Sequence, residues 1–209
     1  SSQCPLWVIS GHLQCKKACP LYPQKRTLSG YADTPALWEH STAMTPEEFQ
    51  KFYPRLLGWI DTTLRAHAGN TQTVASRGFS RLPLYFSADT LASAKIVLVD
   101  KLPSPPLSSW GLIRFADFER GNFDGITYLN TFFIKRDELR NEAVHFHELI
   151  HVIQWRILGP EQFLRSYADG LERFGYSDSP LEVMAYDAEA AFIANDIFDA
   201  EKMVARKLS

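Results

Sequence analysis

The stretch His147-Glu148-Leu149-Ile150-His151 combines residue types and spacing that can do chemistry. Residues four apart share one face of a helix, so the two imidazoles project together and can grip a divalent cation. Glu148 lies one residue-step around that helix, where its carboxylate can take a proton from a cation-bound water without being a ligand. Zinc suits imidazole and carboxylate donors, and its catalytic sites combine three protein ligands with one position for water. Chance supplies about 0.01 such pentapeptides in a chain with this length and histidine content. His145, one face away, reads as structural.

A third ligand must come from elsewhere, and Glu182 is the candidate. It opens a helix in Ser179-Pro180-Leu181-Glu182-Val183-Met184, after a connector long enough to fold back, and its neighbours are apolar. Ser179 and Glu182 also have the spacing of a capping box, in which Glu182 would instead bond the Ser179 amide. Glu172 and Asp187 are substitutes.

The elements that must position these groups follow from periodicity. Thr45-Pro46-Glu47-Glu48 has the cap, first-turn proline and acidic residue of a helix start, and Phe49, Phe52, Leu56, Trp59, Ile60 and Leu64 continue it, with a kink expected at Pro54. Leu82–Phe86, Lys95–Val99, Leu112–Phe115 and Ile126–Thr131 are β-rich runs between Pro, Gly, Ser and Asp punctuation, which predicts a small sheet of three or four strands. The run from Pro103 to Ser109 reads as a loop. Beyond Arg136 the apolar stripe Leu139, Ala143, Phe146, Ile150, Ile153 and Ile157 predicts a helix, with Val144, His147, His151, Gln154 and Leu158 on a second face. Gly159-Pro160 stops it; one helix follows to Phe174, and another runs from Ser179-Pro180 past Ile197. The order of helix, sheet, then helices is α+β.

The chain has 209 residues, 45% of them hydrophobic, and its 22 Lys and Arg balance 24 Asp and Glu without any basic block. A nucleic-acid partner is therefore not expected. No apolar run reaches the roughly 18 residues of a membrane span, and no charged-then-apolar leader opens the chain, so a cytoplasmic setting is the default expectation. All three cysteines fall before position 20, inside an irregular extension over residues 1–30. Cys4, His12, Cys15 and Cys19 have the donor types for a second, structural zinc, although their spacing matches no common finger.

HExxH on one helix with a downstream Glu on the next resembles the gluzincin zinc metallopeptidases, which include thermolysin, over roughly Lys95 to Ala191. More narrowly, Asp124-Gly-Ile-Thr-Tyr-Leu-Asn130, His147 through Trp155 and Pro180-Leu-Glu-Val-Met-Ala185 look like compact bacterial gluzincin-like domains, many of uncharacterised function. The resemblance implies a zincin-like domain over residues 31–209, with an edge strand beside the HExxH helix and a ligand-bearing helix after it. It implies peptide hydrolysis, with His147, His151 and Glu182 holding one catalytic zinc and Glu148 as general base and acid. The edge strand would hold an extended peptide or protein substrate around Thr127, Tyr128 and Asn130. Tyr186 would donate to the oxyanion, with Tyr167 and Tyr176 as rivals.

Departures from the thermolysin pattern are clear. Leu181 and Tyr186 stand where an Asn and an Asp flank the ligand Glu, so no residue is identified to orient a zinc histidine. The distance from His151 to Glu182 is also longer. Peptide deformylase shares HExxH but needs a cysteine shortly before it, and none occurs after Cys19. The alternative of a different class is a zinc-binding interaction module or inactive peptidase-like domain, for which a retained Glu148 has no use.

Overall fold

The structure, a computed structural model, describes residues 44–209. The extension 1–30 and the Cys4, His12, Cys15 and Cys19 set lie outside the described residues. Within 44–209 the order is α1 (Pro46–Ala66), β1 (Gln72–Thr73), α2 (Ala88–Ser93), β2 (Lys95–Val99), α3 (Ala116–Glu119), β3 (Gly125–Tyr128), β4 (Thr131–Lys135), α4 (Glu142–Phe174), α5 (Pro180–Ile193) and α6 (Ala200–Leu208). The described residues are thus α+β, with six helices around one mixed four-stranded sheet. No described helix is long and apolar enough to cross a membrane.

The sheet order is β1-β2-β4-β3, with β2 and β4 parallel and the two outer pairs antiparallel. Strand β4 has partners on both sides, and its Thr131, Phe132, Phe133 and Ile134 are buried, as an interior strand requires. Its alternation sorts the core into two faces. Phe132 and Ile134 join Phe146, Ile150 and Ile153 of α4 and Met184, Ala188 and Phe192 of α5, while Phe133 joins Ile60 of α1 with Val97 and Tyr128. The Phe146 and Phe192 rings stack at 4.5 Å, with the Tyr85 ring edge-on to both, fixing α4 against α5.

Helix α1 starts where its cap signals place it: Thr45 Oγ1 accepts from the Glu48 N–H at 3.2 Å. Pro54 lies inside this helix without ending it. Helix α4 breaks at Gly159 (φ 72°), a left-handed φ that glycine adopts freely, so the histidine-bearing arm and the arm to Phe174 are separate helical segments.

Four expectations need correction. Leu82–Phe86 is not a strand; a 3₁₀ turn over Leu82–Leu84 presents Leu82, Tyr85 and Phe86 to the core, and the Arg81 and Leu82 amides donate to Glu142. Leu112–Phe115 is not a strand either; a 3₁₀ turn over Ile113–Phe115, capped by Leu112, buries Leu112 and Phe115 and leaves Ile113 73% exposed. Ile126–Thr131 is not one strand, because Leu129 (φ 59°) and Asn130 turn the chain from β3 into β4. Helix α5 ends at Ile193 rather than past Ile197. Asn195 (φ 63°) closes it, with Asp196 N–H on Ala191 C=O and Asn195 N–H on Phe192 C=O, both at 3.0 Å.

Helix α6 is anchored by Glu201, which accepts from Ser87 Oγ at 2.6 Å, Thr90 Oγ1 at 2.7 Å and Arg156 Nη2 at 2.9 Å. Partial burial opposes the charged form, but these bonds prevail and lower the pKa from 4.5 to about 2. A carboxyl depressed by folding stabilises above its unfolded pKa and loses that contribution as pH falls through the folded value. Glu201→Gln is therefore expected to cost about 1 kcal/mol at pH 7. In urea melts at several pH values the difference from wild type should hold above about pH 5 and close towards pH 2. A pH-independent difference would contradict this.

Candidate metal centre

Helix α4 and the first turn of α5 bring His147, His151 and Glu182 together. Their candidate ligand atoms all lie within 4.8 Å of one another, and the three residues are buried. His147 Nε2 is 3.4 Å from Glu182 Oε2, His151 Nε2 is 3.3 Å from Glu182 Oε1, and the two Nε2 atoms are 3.1 Å apart. Glu182 is not a capping residue: the Ser179 amide donates to Tyr176 C=O, and the Ser179 side chain makes no cap bond.

Neither substitute reaches the cluster. Glu172 is held by Arg114 and the Met44 amide, and Asp187 is exposed on the opposite face near Lys207. His145 is a core residue, its Nδ1 donating to Asn141 C=O and its ring packed on Phe79.

The outer nitrogens of both histidines are fixed. His147 Nδ1–H donates to Glu189 Oε2 at 3.1 Å, and His151 Nδ1–H donates to Gln154 Oε1 at 2.8 Å. Each bond sets the tautomer that leaves Nε2 facing the other candidate ligands. Gln154 also donates from Nε2 to Leu181 C=O at 3.0 Å, tying α4 to the start of α5. Tyr167 O–H donates to Glu182 Oε1 at 2.6 Å.

Sequence reasoning missed the roles of Glu189 and Gln154. Both had a signal: Glu189 is two helical turns beyond Glu182 on the same face, and Gln154 is three residues beyond His151. The position one turn after Glu182 carries Tyr186, and the acid stands a further turn on, at Glu189. Glu189→Gln is expected to weaken zinc binding by about 10- to 100-fold in a chelator competition. Wild-type affinity would show that this bond does not support His147.

Burial works against a charged imidazole, yet bonds and proximity to the Glu182 and Glu189 carboxylates raise His147 to about 10. His151 moves in the same direction, against burial, through Glu182. Glu182 itself is held well below the carboxylate range: burial opposes ionisation, but the two histidines outweigh it. These groups fit a divalent cation. Their donors are imidazole and carboxylate, and Glu182 Oε2 is a buried oxygen with no hydrogen-bond donor.

Glu148 is buried beside the cluster without joining it. Its Oε2 accepts from Thr127 Oγ1 of β3 at 2.6 Å, and burial pushes its pKa up, against the pull of both histidines. Gly125 packs directly against it, and a Cβ there would crowd the Glu148 carboxylate and force it to shift.

Among the other residues singled out from sequence, Tyr128 donates its hydroxyl to Pro103 C=O and packs against Trp59. Asn130 sits exposed in the β3–β4 turn and bonds Ser93 C=O, so the fold does not bring it to the cluster. The Tyr186 ring lies 4.6 Å from that of His147; burial, then the Glu182 charge, raise its pKa, against a hydrogen bond with Tyr176. Comparisons of the chain with protein-family models, curated proteins and solved structures return no match.

Proposed function

We propose that this chain is a zinc-dependent peptidase of the gluzincin kind, with a zincin-like arrangement of edge strand, HExxH helix and ligand-bearing helix. The observation that carries the reading is the convergence of His147, His151 and Glu182 beside a buried carboxylate, Glu148, that none of them engages by hydrogen bond. His147, His151 and Glu182 would hold the metal. Bound zinc supplies Lewis acidity, polarising a carbonyl and lowering the pKa of water to near 7.

The protein's own groups carry the proton. Glu148 takes it from the attacking water as the new C–O bond forms, and delivers it to the amine nitrogen as the C–N bond breaks. Thr127 holds the Glu148 carboxylate, and a carboxyl pKa raised by burial suits both roles. Glu189 and Gln154 keep the imidazoles aimed, and Tyr167 orients Glu182. Tyr186, beside His147, is the donor assigned to the developing oxyanion. The outer edge of β3 takes an extended peptide or protein substrate by strand addition.

Elemental mass spectrometry of the full chain tests the metal. Wild type is expected to carry one zinc more per chain than the His147→Ala/His151→Ala double variant, and equal contents would overturn the site. Incubation with a broad peptide library tests the reaction: hydrolysis should be lost on chelation and restored by zinc. A zinc-bearing chain that cuts nothing would instead fit an interaction module.

A further inference from the structure

The outer edge of β3 is usable over a short length. Lys135 N–H donates to Asp124 C=O, so the register makes 124/135, 126/133 and 128/131 the bonded pairs and turns the amide and carbonyl of Gly125 and Thr127 outward. The Thr127 carbonyl is already taken by Trp155 Nε1–H at 3.2 Å, and the Trp155 ring is buried and stacked on Phe163 at 4.0 Å. One residue on, Tyr128 lies against Trp59 of α1. A chain laid on β3 can pair with Gly125 and the Thr127 N–H, and there it stops. Glu148 sits at that same level, against Gly125 and Thr127.

Next to this stop lies a cavity of about 110 Å³, with Phe52, Leu107, Phe115, Phe118 and Leu171 among its walls. Glu148, His151 and Glu182 line it too, and no Lys, Arg or Asp is among its described lining residues. A cavity of about 150 Å³ walled by such residues holds benzene, so this one matches a single isobutyl- or phenyl-sized group rather than a lipid tail. A terminal carboxylate there would meet no Lys or Arg. Glu148 and Glu182, the acids on its described walls, are already engaged by Thr127, Tyr167 and the two histidines, so a charged chain end would be poorly compensated, at a cost of several kcal/mol.

We infer that the site acts on the end of a substrate: an uncharged, apolar terminal residue or acyl group fills the cavity, the backbone leaves along Gly125, and the bond cut is the one beside that group. This rests on the zinc-peptidase reading and deepens it. Hydroxamic acids, which chelate zinc and carry a variable tail, separate the two. On the zinc-loaded full chain, phenylacetohydroxamic acid is expected to bind at least 10-fold more tightly than acetohydroxamic acid by calorimetry. In Ala168→Phe, which narrows the cavity, that ratio should fall below 3-fold while acetohydroxamic acid binds as before.

A zinc-loaded chain that binds both acids equally, or neither, overturns this inference alone. A chain that takes up no zinc overturns the metal reading and this inference with it. Product mapping needs no variant: an octapeptide acetylated and amidated at its ends, with Phe at each, should lose one terminal residue. Cuts through its middle would overturn the inference.

Discussion

Glu148→Gln is expected to keep its zinc and lose about 10²- to 10⁴-fold in kcat, the range that removal of a positioned general base and acid produces. The substitution preserves shape and the bond from Thr127 Oγ1, because an amide oxygen accepts as a carboxylate oxygen does. It removes only the capacity to take and return a proton. Because Glu148 stands outside the His147, His151 and Glu182 group, zinc content by elemental mass spectrometry should equal that of wild type, and the thermal midpoint should not fall. Turnover within tenfold of wild type would show that another group moves the proton. Loss of zinc would show that Glu148 holds the metal.

Glu182→Gln has the opposite profile. The amide keeps the length of the side chain and can still accept from Tyr167, but the charge that faces both imidazoles is gone. Zinc affinity, measured against a chelating dye, should fall by more than the roughly 100-fold upper figure for residues that only support ligands. The metal-free protein should also lose about 3 kcal/mol or more in urea unfolding, since removing one member of a buried charge pair strands the others. Wild-type zinc affinity in this variant would move the third ligand elsewhere.

The parts legible in sequence are those whose signal is local. A helix periodicity, two histidines four apart and a Gly-Pro break suffice to place both faces of α4, and Lys95–Val99 matches β2 residue for residue. Glu182 is legible because a carboxylate amid Leu181, Met184 and Ala185 needs a partner.

What escapes depends on contacts between distant segments. β4 is hidden because its turn uses Leu129 at positive φ in place of glycine, and because its run of four buried residues shows no alternation. The two 3₁₀ turns at Leu82–Leu84 and Ile113–Phe115 carry apolar residues that read as strand until the core they fill is seen. Glu189 and Gln154 are legible as positions on a face, but their work is defined by which imidazole nitrogen stands opposite. The closure of the β3 edge by Trp155, eight residues after His147 in α4, has no signature in one dimension.

Gln154 is where the proposed metal centre and helix docking share a single side chain. Its carbonyl aligns His151 while its amide holds the first turn of α5. By linkage, whatever makes the docked helix pair bind zinc better also makes zinc hold the pair closed. Zinc loading should therefore slow hydrogen exchange at the α5 amides well beyond the ligand itself, with the last turn of α6 little changed. The centre would then act as a clasp on the C-terminal helices, so that starving the protein of metal loosens a distinct part of the molecule first and gives a protease there its earliest opening.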